Sequence, residues 1–186
     1  MKSGGASIQL DQKAMERVRL MFRNAPRNAN KVFNRAMGRA LASTRARAVR
    51  IVRDQYAVGA SAVRSQIKTE KTLVRGEPTG SLIASGKPLS LEHFTVTPKV
   101  KHTNPRSPRV RYQLRKGQWI SKPRLFKWQG RVFERTGSGR EFFLHRGYSV
   151  PKMLGDNIEA LGSYAGKEFT KRVYAEAGMI IDGKKK

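Results

Sequence analysis

Between residues 27 and 57, Phe33, Met37, Ala40, Leu41, Thr44, Ala48, Ile51 and Val52 recur at helical steps of three, four and seven. At about 100° per residue these side chains form one stripe, while Lys31, Arg35, Arg39, Arg50 and Arg53 gather on the opposite side. So long an amphipathic helix has to be the spine of the fold, because other elements must cover its stripe. Gly59 closes this helix, and "SAVRSQI" at 61–67 predicts a short second one capped by Ser61. Upstream, Ala14, Val18, Met21 and Phe22 predict a helix over Asp11 to Asn24, before Pro26 starts the long one. Ile158, Leu161, Ala165, Phe169 and Val173 predict a last helix from about 155 to 178.

The middle of the chain has a different texture. "GSLIASGKPLSLEHFTVTPKV" mixes branched residues with Gly and Pro at strand-and-turn spacing. In "RVRYQLRKGQWI", Val110, Tyr112 and Leu114 alternate with Arg111, Gln113 and Arg115, the pattern of a half-buried strand running into a Lys116-Gly117 turn. "FKWQGRVFER" and "REFFLHR" flank "TGSG" as a hairpin. Helices, then a β-meander, then a helix argue an α+β fold with antiparallel sheet. At 186 residues the chain is long enough for a single domain with its own core, expected over 11–181. A flexible lead over 1–10 and a basic tail over 182–186 would flank it.

Charge narrows the choice of partner. There are 39 Lys and Arg against 13 Asp and Glu, a formal +26. A chain this basic repels itself and calls for a negative neighbour: nucleic acid, an acidic protein or an anionic membrane surface. Residues 13–53 hold 12 cations and one acid, Glu16; residues 99–131 hold 11 and none. In the second run Tyr112, Trp119, Phe126 and Trp128 are interleaved with the charge, as on surfaces that contact nucleic acid. The plainer alternative is a solvated face with those aromatics in the core, and alternation already places Tyr112 inside. No helix-turn-helix, zinc-finger, RRM or KH signature accompanies the charge, so any DNA contact would be to phosphates and indifferent to sequence. The candidate polyanion-facing residues are Arg106, Arg109, Arg111, Arg115, Lys116, Lys122 and Arg124.

Catalytic and cofactor motifs find little support. Without cysteine there is no disulfide and no Cys-ligated zinc. His93, His102 and His145 lie far apart in sequence. "GSLIASGKP" has the wrong glycine spacing for a phosphate loop and Pro88 in place of its Ser or Thr, so a strand entering a turn fits better. Glu134 and Glu141 bracket the hairpin, but Arg135, Arg140 and Arg146 nearby favour surface ion pairs over an acid/base pair. Neither an enzyme nor any cofactor is implied. No apolar run approaches the roughly 18–20 residues that span a bilayer, and "MKSGGASIQLDQKAMERV" lacks a signal-peptide core. The expectation is a protein used in the cytoplasm or packaged into something assembled there, with no membrane partner.

The segment "RVFERTGSGREFFLHRGYSVPKML" resembles the signature of the minor tail protein Z family of long-tailed bacteriophages. The resemblance rests on Val132-Phe133, Arg135-Thr136-Gly137, Arg140, Phe142 to Leu144, Gly147-Tyr148-Ser149-Val150-Pro151 and Met153-Leu154. "FNRAMGRALASTRARAVRIVR" and "ASGKPLSLEHFTVTP" are similar to two further stretches of that family. "FFL" after Arg140 and Tyr148 depart from it, since the family more often carries prolines there. The resemblance implies a structural virion protein that completes the head-proximal end of a phage tail and helps form the head–tail neck junction. Its partners would be other tail and neck proteins, namely the tail terminator, a head-completion ring and the tape measure, with copies of itself in a ring, six-fold by analogy. The hairpin residues Phe133, Arg135, Arg140, Phe142 and Phe143 would contact neighbouring subunits, and the basic middle would meet DNA or an acidic ring. A nonspecific nucleic-acid-binding protein, ribosome- or nucleoid-associated, accounts for the charge equally well and for the hairpin motif not at all.

Overall fold

The computed structural model describes residues 4–7, 10–74, 77–104, 107–136 and 141–183. The protein is α+β. Its elements, in order, are β1 (Gly4–Ser7), α1 (Gln12–Met21), α2 (Pro26–Gln55), α3 (Ala60–Ser65), β2 (Ile67–Val74), β3 (Glu77–Ala84) and β4 (Thr95–Thr97). They continue with β5 (Arg111–Gln113), β6 (Trp119–Ser121), β7 (Leu125–Trp128), β8 (Arg131–Arg135), β9 (Phe142–Leu144), α4 (Val150–Leu154) and α5 (Asn157–Ile181). The strands form three antiparallel sheets, ordered β1-β3-β2, β4-β5-β6 and β7-β8-β9. Contacts divide the chain into two compact units, each built from separated stretches: residues 1–48, 67–84 and 155–186, and residues 49–66 with 85–154. The long helix contributes its first part to one and its last turns to the other.

In the first unit, α1, α2 and α5 close a core around Met15, Val18, Phe22, Val32, Phe33, Met37, Phe169 and Val173. The Asp11 carboxylate caps α1 by accepting from the Ala14 amide at 3.2 Å, supplying a partner that the first helical turn lacks. Met21, expected inside, is exposed; the helix ends there, and Phe22 and Met15 take the inward positions. Thr44 is buried within the α2 stripe because its hydroxyl donates to the Ala40 carbonyl one turn earlier, at 2.8 Å. Glu176 of α5 is wholly buried, and its Oε1 lies 2.6 Å from Arg39 Nη1 of α2.

The long β2–β3 hairpin belongs to this unit, in register from Ile67↔Ala84 to Val74↔Glu77. Residues 4–7, expected within a flexible lead, instead form β1 on the other edge of β3, from Gly4↔Ala84 to Ser7↔Ser81. Strand pairing needs only backbone donors and acceptors, and the edge of β3 offers a row of them. Residues 1–3 and 8–9 of that lead, and 184–186 of the expected basic tail, lie outside the described residues.

In the second unit, Val110 and Tyr112 are buried as their alternation predicts, and Arg111 points out. There α3 is preceded by Gly59 at its N-cap, not Ser61. Val58 pairs with Phe94 and the Gly59 amide donates to the His93 carbonyl at 2.9 Å. The backbone therefore stays extended up to Gly59 and turns helical immediately after it. Gly147 occupies a position that admits no side chain: a Cβ there would sit 2.7 Å from Leu114 Cδ2 and from a Phe94 ring carbon. Tyr148 meets Tyr56 edge to face at 5.8 Å, and Val150, Met153 and Leu154 of α4 are buried. The motif segment thus ends as a set of packing contacts. Among the described residues, no helix is long and apolar enough to cross a membrane.

Candidate interaction surface

The sheet β7-β8-β9 has two connections. The first joins β7 to β8 through Gln129 and Gly130, with φ of 50° and 78°, the paired left-handed conformations of a tight hairpin. The connection from β8 to β9 includes residues 137–140, which lie outside the described residues, and Arg140 with them.

Register then decides which side chains meet. Phe126 lies opposite Phe133, Trp128 opposite Arg131, Phe133 opposite Leu144 and Arg135 opposite Phe142. Opposed residues share a face and successive ones alternate. One face therefore carries Phe126, Trp128, Phe133 and Phe142 with Arg131 and Arg135; the other carries Leu125, Lys127, Val132, Glu134 and Phe143. The rings bear this out. Phe142 meets Phe133 at 5.3 Å and Phe126 at 5.6 Å, both edge to face, and stacks on Trp128 at 6.4 Å. Phe126 stacks on Phe133 at 5.8 Å, and the Arg135 guanidinium lies 5.2 Å from its centroid. Trp128 is 50% exposed and Phe142 48%. Aromatic rings and Arg, assembled on a strand face and left half in solvent, have the composition of a protein interface core.

The opposite face carries a polar chain. Lys122 Nζ donates to both Glu134 oxygens, at 3.0 and 3.2 Å, and Glu134 Oε2 lies 2.8 Å from His145 Nδ1. His145 Nε2 lies 3.2 Å from the Tyr112 hydroxyl. A carboxylate only accepts, so Nδ1 carries the hydrogen and neutral His145 accepts from Tyr112 at Nε2. Burial, and then the Lys122 charge, hold the His145 pKa below its ordinary value, with Glu134 pulling the other way. Burial raises that of Tyr112. Glu134 does not face Glu141 across the hairpin; its opposite residue is Phe143.

Of the five hairpin residues singled out in the sequence, the structure brings Phe133, Arg135 and Phe142 onto one face. Phe143 is on the other, 6.3 Å from His145, because neighbours along a strand point oppositely. Trp128 and Phe126 belong with the first group. Their signal was present in the alternation of "FKW", but only recognition of Gln129-Gly130 as a turn brings β7 against β8.

The basic residues do not converge in the same way. Arg109, Arg111, Arg115, Lys116 and Arg124 are exposed, and Arg106 lies outside the described residues. Arg111 lies over Trp119 at 5.6 Å on the outer face of β4-β5-β6, and Arg115 over Tyr56 at 5.8 Å. Lys122 is committed to Glu134, a partner that charge counting along the chain does not reveal. Among the described residues no three His, Asp or Glu side chains gather as a metal site would require. Comparison with protein-family models, curated proteins and solved structures finds no match to this chain.

Proposed function

We propose that this chain is a structural phage protein that completes the head-proximal end of the tail, as a ring subunit at the head–tail junction. The observation that carries this reading is the half-exposed aromatic face of β7-β8-β9, formed in large part by the segment that resembles the minor tail protein Z signature. A segment serving only the core would bury those rings; here Phe133, Arg135 and Phe142, joined by Phe126 and Trp128, are displayed for a neighbouring protein. The rest of the signature anchors that display, through Gly147 against Leu114 and Phe94 and through the buried residues of α4. The exposed cations of residues 99–131 suit passing DNA through diffuse phosphate contacts, or an acidic ring above or below.

Gold-labelled antibody to this chain, applied to virions or induced tail particles from its source, tests the proposal. Label confined to the head-proximal end is expected. Label at the distal tip would replace the junction role by another virion role, and abundant particles without label would overturn the structural reading.

A second reading rests on the exposed Trp119 with Arg111 over its ring, an arrangement that suits a stacked base beside a phosphate. It makes the chain a nonspecific nucleic-acid-binding protein. Tight, salt-sensitive binding of oligonucleotides by the isolated monomer, lost in Trp119→Ala, would favour it.

A further inference from the structure

Beside the aromatic face, the loop carrying His102 and Thr103 meets β7 and β9 to enclose a slot of about 280 Å³ lined by those two residues with Phe126, Lys127, Trp128, Arg135 and Phe142. The Lys127 amide donates to Thr103 Oγ1 at 2.9 Å, which fixes the loop against the strand. We propose that this slot docks an acidic segment bearing an apolar anchor side chain, supplied by a protein other than this chain. The inference rests on the reading of the aromatic face as an assembly surface and names the chemistry of what assembles there.

Charge supports the acidic character. Among the described residues the slot is lined by the Arg135 guanidinium, by aromatic rings, and by His102 and Thr103, and by no carboxylate. Lys127 borders the slot through its backbone; its side chain alternates onto the buried face of the sheet, where the ammonium is held on the Pro98 carbonyl at 3.0 Å, so Arg135 supplies the charge that faces the space. The two nearest acids along the hairpin strands are already placed: Glu134 pairs with Lys122 and His145, and Glu141 lines no part of the slot.

The apolar anchor follows from the rings. Phe126, Phe133 and Phe142 are engaged with one another, with Trp128 or with Arg135, so the slot does not present the succession of free ring faces on which bases stack. A space of this size between aromatic edges takes a leucine- or phenylalanine-sized side chain.

A second copy of the chain is the wrong occupant. Its 13 acids are scattered so that no two are closer than Asp156 and Glu159, and it carries +26, so it has no acidic segment to offer and its approach to a cationic slot is repulsive.

The test uses the whole chain in a Trp119→Phe background, which leaves Trp128 as the only indole. Three probes are titrated at low salt: a short peptide of glutamates around a central Leu-Phe, an all-glutamate peptide of equal length, and oligo-thymidylate. We expect the Leu-Phe peptide to shift Trp128 emission and to bind about tenfold tighter than the all-glutamate one. Arg135→Gln and Phe142→Ala should each remove that difference while leaving the thermal melt in place. If Phe142→Ala fails to fold, Arg135→Gln, an exposed site, still decides. Equal binding of both peptides, or none, would overturn the proposal. So would a preference for oligo-thymidylate that depends on the same side chains, or self-association that Arg135→Gln abolishes. Failure here with antibody label still at the head-proximal end would refute the slot and leave the tail role intact; peptide binding with no label would do the reverse.

Discussion

Two titratable side chains, one charged and buried, the other neutral and half-buried, show how single residues hold this fold. Glu176 has no exposed surface, so its carboxylate depends on what α2 offers it, chiefly Arg39 at 2.6 Å. Removing one member of such a pair costs about 3–5 kcal/mol when the other stays buried. Arg39 is partly exposed and can turn to water, which favours the low end: Glu176→Ala should cost about 3 kcal/mol, read from the urea midpoint. His145 makes the opposite kind of demand. Its folded-state pKa is depressed by burial and by Lys122, so the fold prefers the neutral imidazole. Stability from this site is present above the unfolded value, about 6.5, and is lost as pH falls through the lower folded value. Between pH 7.5 and 5 the wild type should lose more melting temperature than His145→Gln, which keeps a polar side chain without the titration. Gly147→Ala forces a methyl against Leu114 and the Phe94 ring, and about 1–3 kcal/mol should be lost. Equal melting curves would remove the close approach as the reason for glycine there.

At the scale of elements, the turn between β7 and β8 sets the whole aromatic face. Gln129 sits at a φ of 50°, a left-handed conformation that costs most side chains about 1–2 kcal/mol and that asparagine adopts readily. Gln129→Asn should therefore stabilise the protein by up to about 1 kcal/mol, and Gln129→Val should weaken it and loosen the register that opposes Phe126 to Phe133. Denaturation midpoints check the first and proton–proton contacts between the two rings the second. How legible an element was depended on where its stabilisation comes from. The stripe of α2 was plain because thirty residues repeat one period, and α5 was plain for the same reason. By contrast β2, "IKTEKTLV", is mostly polar and is held by backbone pairing to β3, which leaves no apolar alternation to read. Phe142 and Phe143 read as one patch because they are adjacent, although a strand separates neighbours onto opposite faces. The chain from Lys122 through Glu134 and His145 to Tyr112 joins residues of two strands, β8 and β5, with residues just beyond β6 and β9, so sequence position alone conceals it.

For the molecule as a whole, charge was the most readable property and the least specific. Among the described residues, the cations of 99–131 survive folding as exposed side chains, apart from Lys122, spent on Glu134, and Lys127, buried with its ammonium on the Pro98 carbonyl. If this region meets DNA, each phosphate contact removed should lower the slope of log affinity against log salt by about 0.9. Replacing Arg109, Arg111, Arg115 and Lys116 with Gln should then flatten that slope, while an unchanged slope would exclude the region from DNA contact.

The interleaving of the two units along the chain has a consequence for the order of events on the ribosome. Phe33 and Met37 are made before the second unit, but Phe169 and Val173, which share their core, are made after it. The first unit therefore cannot close while the second is being translated, and it spends that interval with the α2 stripe uncovered. Emergence of α5, not of the first helices, is the moment at which this core can close and the stripe is sheltered from aggregation.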